Sequence, residues 1–352
     1  MIQENKNGVP ALQAEGKKKF PFWIGAVFII FSFIVGAHFL VSCEPSESLK
    51  SRERVKLGIS QSFFSSAVYI AKAQGFFEQE GLDVSVTEYD SGKMATKGLF
   101  AGEVEISTVA DMPVVFNSFQ RKDFCIFATF THSYPFVKLI ARKDRGIKTG
   151  EDLKGKRVGA NRGTSSHIFL ARFLMYHRIA ISEVEMIHFK TAELPAALKN
   201  DEVDAISVWQ PYSQKAIKLL QGNAIELPNP EIYRLTFNFA VMKRFAKEHS
   251  EILKRFLRAM DEACTFIIQN RETSQDIIAE KFKLDKDAVR AVCNDLTFDI
   301  SLNQSLLMSW DTIARWAIQN NFIDTQKLPN YLNFICLDAL EAVKPESITI
   351  IR

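Results

Sequence analysis

The stretch V-K-L-G-I at residues 55–59 begins an alternation of strand-like and helix-like segments that decides the fold class of this chain. Leu82–Tyr89 alternates apolar and polar side chains as a strand does, and 104–110 and 124–130 also have the composition of strands. In the segments between these strands the apolar residues have helical spacing. Asp111 is placed to cap the helix that follows the third strand. Strands separated by helices of this length indicate an α/β protein with a mainly parallel sheet.

A second round of the same alternation starts after the strand-like stretch 137–141 and ends near Pro228-Asn229-Pro230, a strong chain break. Leu235–Val241 then predicts a strand that returns to the first part of the fold. From Ser250 onward the apolar residues keep helical spacing. The chain is therefore expected to cross twice between two α/β parts. A cleft between these parts is where a ligand is expected to bind.

We therefore expect two lobes around a ligand cleft, with a helical C-terminal region. Lobe I comprises 55–136 together with 235–352, and lobe II comprises 137–234. Without the first 42 residues the chain still has 310 of its 352 residues, which favours division because 310 exceeds the size at which one hydrophobic core stops growing. The net charge of +3 is small and lacks a long basic block, so nucleic acid is not expected among the partners.

The N-terminal segment has the layout of an export signal. Lys17, Lys18 and Lys19 precede an apolar run at 20–41 that ends just before Cys43. The end of this run resembles the bacterial lipobox, whose cysteine is acylated and becomes the first residue of the mature chain. We therefore expect a lipoprotein signal peptide at 1–43, a flexible tether at 44–54, and a lipid anchor that holds the protein outside the cytoplasm. The alternative is an uncleaved signal anchor, since the run is long enough to cross a bilayer.

The other four cysteines, Cys125, Cys264, Cys293 and Cys336, are scattered without C-x-x-C spacing, so no metal cofactor is expected. Each lies in an apolar context that favours a buried free thiol. An exported chain can still oxidise a pair, and Cys264 with Cys293 is the pair to test. The histidines form no metal-binding motif, which disfavours a metalloenzyme.

Six short motifs occur in a specific order. They are A-Q-G-F-F at 73–77, G-L-D-V at 81–84, L-F-A-G-E-V at 99–104, D-L-K-G-K-R-V-G at 152–159, G-T-S-S-H at 163–167 and V-W-Q-P-Y at 208–212. Their order and spacing resemble the ABC-transporter substrate-binding proteins of the nitrate, sulfonate and taurine type. The resemblance implies the type II periplasmic-binding-protein fold, in which two α/β lobes close on a solute and present it to a membrane permease served by an ATPase subunit.

The segment Gly163–His167 follows a strand and opens a helix, so its backbone N–H groups lack helical partners and can bind an anion. Hydroxyl groups of three consecutive residues add donors, although an ordinary helix cap is the alternative. Trp209 ends an apolar strand, either at the rim of the sheet or in the core. The candidate ligand-binding residues are Gln61, Ser62, Phe63, Asp111, Thr131, His132, Gly163, Thr164, Ser165, Ser166, His167, Trp209 and Asn238.

These features predict an extracytoplasmic solute-binding lipoprotein of an ABC importer, with a small and anionic solute such as a sulfonate, taurine or nitrate. No catalytic motif is present, so neither an enzyme nor a cofactor is expected. A protein of the same fold that binds pyrimidines, or that makes the thiamine pyrimidine, is the alternative. A sensor domain that delivers its ligand-bound form to a membrane receptor has the same sequence features.

Overall fold

The structure is a computed structural model and describes residues 52–351. The predicted signal peptide at 1–43, its lipidation site Cys43 and most of the predicted tether at 44–54 lie outside the described residues. Residues 51–352 cluster as one compact unit. In the part of the chain that is described, no helix has the length and apolar character needed to cross a bilayer.

Strands and helices alternate through most of residues 52–351. The strands are β1 (Glu53–Ser60), β2 (Leu82–Tyr89), β3 (Ile106–Ala110), β4 (Phe124–Ser133), β5 (Val137–Arg142), β6 (Arg157–Ala160), β7 (Glu185–His188), β8 (Ala205–Trp209), β9 (Ala224–Glu226), β10 (Leu235–Met242) and β11 (Thr297–Ser301). The helices are α1 (Ser66–Ala73), α2 (Phe76–Gln79), α3 (Gly92–Phe100), α4 (Asp111–Ser118), α5 (Ser165–Tyr176), α6 (Leu194–Lys199), α7 (Tyr212–Leu220), α8 (Lys243–Glu248), α9 (Ser250–Gln269), α10 (Arg271–Phe282), α11 (Lys286–Asn294), α12 (Gln304–Gln319) and α13 (Asp338–Val343).

The strands form two sheets, which are the centres of two halves of the molecule. The first sheet has the order β11-β4-β10-β3-β1-β2, and the second has the order β7-β6-β8-β5-β9. We call the elements packed on the first sheet the large half and those packed on the second sheet the small half. The chain crosses into the small half between β4 and β5, and it returns to the large half with β10.

Both sheets are mixed, so the prediction of a mainly parallel sheet was wrong. In the first sheet β1 is parallel to β2 and β3, whereas β10 is antiparallel to β3 and β4. In the second sheet β6 is parallel to β7 and β8, whereas β5 is antiparallel to β8 and β9. Parallel pairs arise where a helix carries the chain back across the sheet. The strands β5 and β10 enter their sheets from the other half instead.

The helix α9 shows how the sequence pattern positions the core. Its stripe of Ile252, Phe256, Met260, Ala263 and Ile267 is buried, as the helical spacing predicted. The helix α9 packs on α1, β11 and α13. The prediction that the chain is helical from residue 250 onward was wrong at β11, because this short strand adds to the edge of the first sheet beside β4.

The prediction that Cys125, Cys264, Cys293 and Cys336 are all buried free thiols was wrong for two of them. Cys125 and Cys336 form a disulfide with a Cα–Cα distance of 5.8 Å. Ile335 forms a β-bridge with Ile126, so the backbone of the C-terminal segment runs alongside β4 and brings the two sulfurs together. Cys264 and Cys293 are both free, and the prediction of a buried free thiol is confirmed for Cys264.

Candidate functional site

A narrow cavity lies where the two halves meet, beyond the carboxyl ends of β1, β3 and β8, the usual location of ligands in α/β sheets. Its volume is about 20 Å³, so its walls lie close together. We call it the cleft cavity. Its lining residues are Ser60, Ser62, Phe64, Ser91, Gly92, Lys93, Ala110, Pro113, Phe136, Thr164, Ser165, Trp209, Leu235 and Phe237.

One wall of the cleft cavity is a tight turn after β1. The Ser62 backbone N–H donates to the Ser60 carbonyl at 2.8 Å, and the Ser65 hydroxyl donates to the same carbonyl at 2.7 Å. These bonds hold the backbone but leave the Ser62 hydroxyl, on a residue that is 1% exposed, without a partner among the described residues. A buried hydroxyl without a partner is costly, so a ligand group that pairs with it gains affinity.

The neighbouring predicted residues lie outside this wall. Gln61 is exposed, and its backbone N–H donates to the Tyr89 carbonyl at 2.8 Å. Phe63 packs on Phe282 with ring centroids 4.4 Å apart, and Phe64 lines the cavity instead.

The start of α3 forms the next part of the wall and brings a cation to it. The Ser91 hydroxyl accepts from the Met94 N–H at 3.4 Å and caps the helix. The half-buried Lys93 donates from Nζ to the Arg162 carbonyl in the small half at 2.7 Å. Burial lowers the pKa of Lys93, and the charge of Lys97 lowers it further. Lys93 was not among the residues predicted from the sequence, although its place just after a parallel strand was a usable signal.

The opposite wall is the start of α5, where the sequence predicted an anion site. Thr164 and Ser165 line the cavity, and the helix begins there with unpaired backbone N–H groups. Gly163 has a φ of +77°, and a β-carbon on it would lie 3.3 Å from Lys93 Nζ. A side chain at position 163 would therefore be strained and would crowd the ammonium group.

The three predicted hydroxyl groups differ in role. The Ser166 hydroxyl accepts from the Asn161 N–H at 3.0 Å, and the Thr164 hydroxyl donates to the Asn161 carbonyl at 2.7 Å. Both bonds brace the loop before α5. Ser165 is the member of the three that lines the cavity without such a bond to Asn161.

Trp209 ends β8 and is 5% exposed. Its indole N–H has no partner among residues 52–351, although the residue lines the cleft cavity. Buried indole N–H groups usually find a hydrogen-bond acceptor. The two unpartnered donors of the cavity, Ser62 and Trp209, belong to different halves.

Asp111 is fully buried and does not line the cavity. Its carboxylate accepts from the Thr236 N–H at 3.1 Å, the Trp310 Nε1–H at 3.1 Å and the Tyr233 hydroxyl at 3.3 Å, and it also bonds the Thr236 hydroxyl. The predicted role as a helix N-cap was wrong, because Ala110 occupies the cap position of α4. Burial raises the pKa of Asp111, while these bonds oppose the rise. Asp111 ties the returning chain to α12.

Three more predicted residues do not line the cavity. The Thr131 hydroxyl donates to the Phe64 carbonyl at 3.1 Å, which supports the wall from behind. His132 lies 3.2 Å from the Asp299 carboxylate of β11. Asn238 is buried, accepts from the Thr129 hydroxyl at 2.6 Å, and donates to the Val109 carbonyl at 3.3 Å.

His167 is fully buried in the first turn of α5. Its Nδ1 accepts from the Gly163 N–H at 3.3 Å, and its ring packs edge-on against Phe322 and Trp316 with centroids 4.7 and 5.3 Å apart. Burial lowers the pKa of His167 from 6.5 to about 4, and the charge of Arg162 adds to this effect. His167 is therefore neutral at pH 7, and it orients Gly163 rather than supplying charge.

The depressed pKa makes the protein sensitive to acid. Since the folded pKa of His167 lies below the unfolded one, its stabilising contribution is complete above about pH 6.5 and is lost as the pH falls towards 4, by about 3 kcal/mol in total. Urea unfolding at several pH values should show that His167→Asn, whose amide oxygen can replace Nδ1, loses this part of the pH dependence. The exposed His249→Asn serves as the control. An unchanged pH dependence in His167→Asn would contradict the assignment.

The family model described as NMT1/THI5 like matches residues 63–274, more than half of the chain. A protein of Bacillus subtilis (strain 168), named for the binding of aliphatic sulfonates, is 28% identical over 254 residues, which are 69% of this chain and 74% of that protein. The taurine-binding periplasmic protein of Escherichia coli (strain K12) is 26% identical over 200 residues, which are 55% of this chain and 61% of the relative.

Among solved structures, the alkanesulfonate-binding protein SsuA from Xanthomonas axonopodis pv. citri, bound to MOPS, superposes with a TM-score of 0.71 at 18% identity. The match covers 81% of this chain and 98% of that one. These similarities confirm the resemblance to substrate-binding proteins of the nitrate, sulfonate and taurine type and the periplasmic-binding-protein fold that it implied. The chain belongs to the NMT1/THI5-like family.

Proposed function

We propose that this protein is an extracytoplasmic solute-binding lipoprotein that captures a small sulfonate-like, taurine-like or nitrate-like anion in the cleft cavity and delivers it to an ABC permease and its ATPase. One observation carries the proposal. The unpartnered Ser62 hydroxyl and Trp209 indole N–H belong to the cavity walls of the two halves, beside the Lys93 ammonium group. The hydroxyl and the indole N–H can both donate hydrogen bonds, and together with a cation they are suited to an anion.

The helix geometry supports the same ligand class. The helices α3, α4 and α5 all contribute residues from their first turn to the cavity lining. The positive ends of their dipoles therefore lie next to one small volume, where they can stabilise negative charge. Two relatives are named for the binding of aliphatic sulfonates and of taurine, which agrees with this chemistry.

Closure of two lobes is the proposed mechanism of capture, with lobe I at 55–136 plus 235–352 and lobe II at 137–234. Lys93 donates across the cavity to the Arg162 carbonyl, and this bond joins the two halves. A ligand that contacts Ser62 and Trp209 together binds only when the halves are close, so it shifts the population towards the closed form. The closed form is the one we expect to dock on the permease.

The sequence that ends at Cys43 supports the proposed lipid anchor. The Cys125–Cys336 disulfide supports the extracytoplasmic location. Disulfides persist in oxidising compartments outside the cytoplasm. Membrane fractionation of a Cys43→Ser variant tests the anchor, and recovery of that variant in the membrane fraction would favour an uncleaved signal anchor.

Binding rather than catalysis fits the cleft. Lys93 is the one titratable side chain among the described residues that line it, so no acid–base pair and no cysteine nucleophile is at hand.

A pyrimidine ligand is the second candidate, because Phe64, Phe136, Phe237 and Trp209 give the lining an aromatic character.

The test is isothermal titration calorimetry of the purified protein with ethanesulfonate, taurine, nitrate and an uncharged aminopyrimidine. We expect saturable binding of at least one anion. Trp209→Phe and Ser165→Ala should each weaken that binding by about tenfold, because a hydrogen bond to a charged group is lost. The control is Ser182→Ala, an exposed serine of the small half. Binding of the pyrimidine alone, or equal losses for anion and pyrimidine, would contradict the anion assignment.

A further inference from the structure

A second opening, which shares no lining residue with the cleft cavity, lies between α5, the residues just before β10, and α12. Its volume is about 530 Å³, within the range of pockets that hold small organic ligands. We call it the α5–α12 groove. Nothing in the proposed capture of a solute by the cleft cavity uses it.

The groove gathers exposed apolar side chains. Tyr134, Met175, Tyr176 and Met308 line it and are 44%, 68%, 59% and 64% exposed. They are half of the eight large apolar side chains that are exposed in the described residues. Such a concentration marks a binding surface, and methionine side chains adapt their shape to apolar ligands.

The groove also holds two arginines that form no ion pair with any other described residue, although the charge of Arg234 acts on Asp299. Arg172 lies over the Tyr233 ring at 4.9 Å and donates to the Ile232 carbonyl at 3.3 Å, while Arg234 donates to the Ser305 hydroxyl at 3.4 Å. Neither takes part in an ion pair within residues 52–351. Each guanidinium has five N–H donors, so most of them are available to an acidic group.

We propose that the α5–α12 groove binds a medium-chain fatty carboxylate, with the carboxylate on Arg172 and Arg234 and the chain along the exposed apolar side chains. Arginine pairs with a carboxylate through two parallel hydrogen bonds, which gives the head group a defined position. The chain is favoured because it covers apolar surface that is otherwise in water. A small inorganic anion would leave that surface exposed, and a cationic amphiphile would be repelled.

The probe is decanoate, titrated below its micelle-forming concentration, with decyltrimethylammonium as the cationic counterpart. We expect saturable decanoate binding by calorimetry and none of the cation. The double substitution Arg172→Gln with Arg234→Gln should weaken decanoate binding at least about tenfold, because hydrogen bonds between charged groups are lost. Arg244→Gln, at an exposed arginine of α8, is the matched control. Trp209→Phe should leave decanoate binding unchanged.

A second variant keeps the proposal testable if the double substitution affects folding. Met308→Glu adds a negative charge at a side chain that is 64% exposed, so folding should be preserved while decanoate is repelled. Unchanged decanoate binding in Met308→Glu, or equal binding of the cation, would overturn the proposal. So would failure of decanoate to bind while a peptide of alternating apolar and acidic residues binds, because that result would assign the groove to a protein partner.

Discussion

Replacing Lys93 by methionine is expected to weaken the binding of a small anion by about ten- to a hundredfold while leaving the fold intact. The Lys93 ammonium group is half-buried at the start of α3 and lines the cleft cavity. Partial burial reduces screening by water, which strengthens its attraction for a bound anion. Methionine keeps the length and the apolar stem of the side chain but removes the charge and the bond to the Arg162 carbonyl.

Lys97→Met is the matched control because Lys97 lies one turn further along the same helix and is exposed. Calorimetry of both variants, with an anionic and an uncharged ligand, separates charge from packing. We expect a large loss for the anion in Lys93→Met alone. An equal loss for the uncharged ligand would mean that Lys93 acts only by joining the two halves.

Alkaline pH provides an independent check on the same side chain. Since burial lowers the pKa of Lys93, its ammonium group loses its proton at a lower pH than an ordinary lysine. Anion affinity should therefore begin to fall at a lower pH in the wild type than it would for an unperturbed lysine. Lys93→Met should not show this decline.

The local parts of the fold were predictable from the sequence. The bounds of β2 at Leu82–Tyr89 follow from the alternation of apolar and polar residues, which depends on neighbouring residues only. The glycine and hydroxyl residues at the start of α5 could also be recognised, because an open helix start is a local property. The same local reasoning placed Trp209 at the end of its strand, where it lines the cavity.

The remaining features depend on contacts between distant parts of the chain. Asp111 looked like a helix cap, but it accepts bonds from Tyr233, Thr236 and Trp310, none of which is near it in sequence. Lys93 acquires its place only when α3 meets the loop before α5 in the other half. A single sequence shows periodicity, not which of two adjacent side chains turns inward, so Phe63 was chosen where Phe64 lines the cavity.

The Cys125–Cys336 disulfide is the clearest of these long-range features, and its removal should have a large effect on stability. The two cysteines are 211 residues apart in sequence, so the cross-link restricts a very long loop in the unfolded chain. Replacing both by serine should lower the free energy of unfolding by about 2 to 5 kcal/mol. The loss has a second source, since the disulfide fastens a C-terminal segment in which the Cys336 backbone N–H donates to the Ile126 carbonyl at 2.9 Å and Phe334 packs on Phe124.

Urea unfolding of the wild type and of the double serine variant, each with and without a reductant, measures this contribution. We expect the reductant to move the wild-type midpoint towards that of the variant and to leave the variant unchanged. Cys293→Ser, at a half-buried free thiol, controls for the loss of a sulfur without a cross-link. Alkylation of the unreduced, unfolded protein should label Cys264 and Cys293 but neither member of the pair. The bond does not form if Cys125 and Cys336 are labelled and the reductant leaves the wild-type midpoint unchanged. That result would also remove the structural support for an oxidising location.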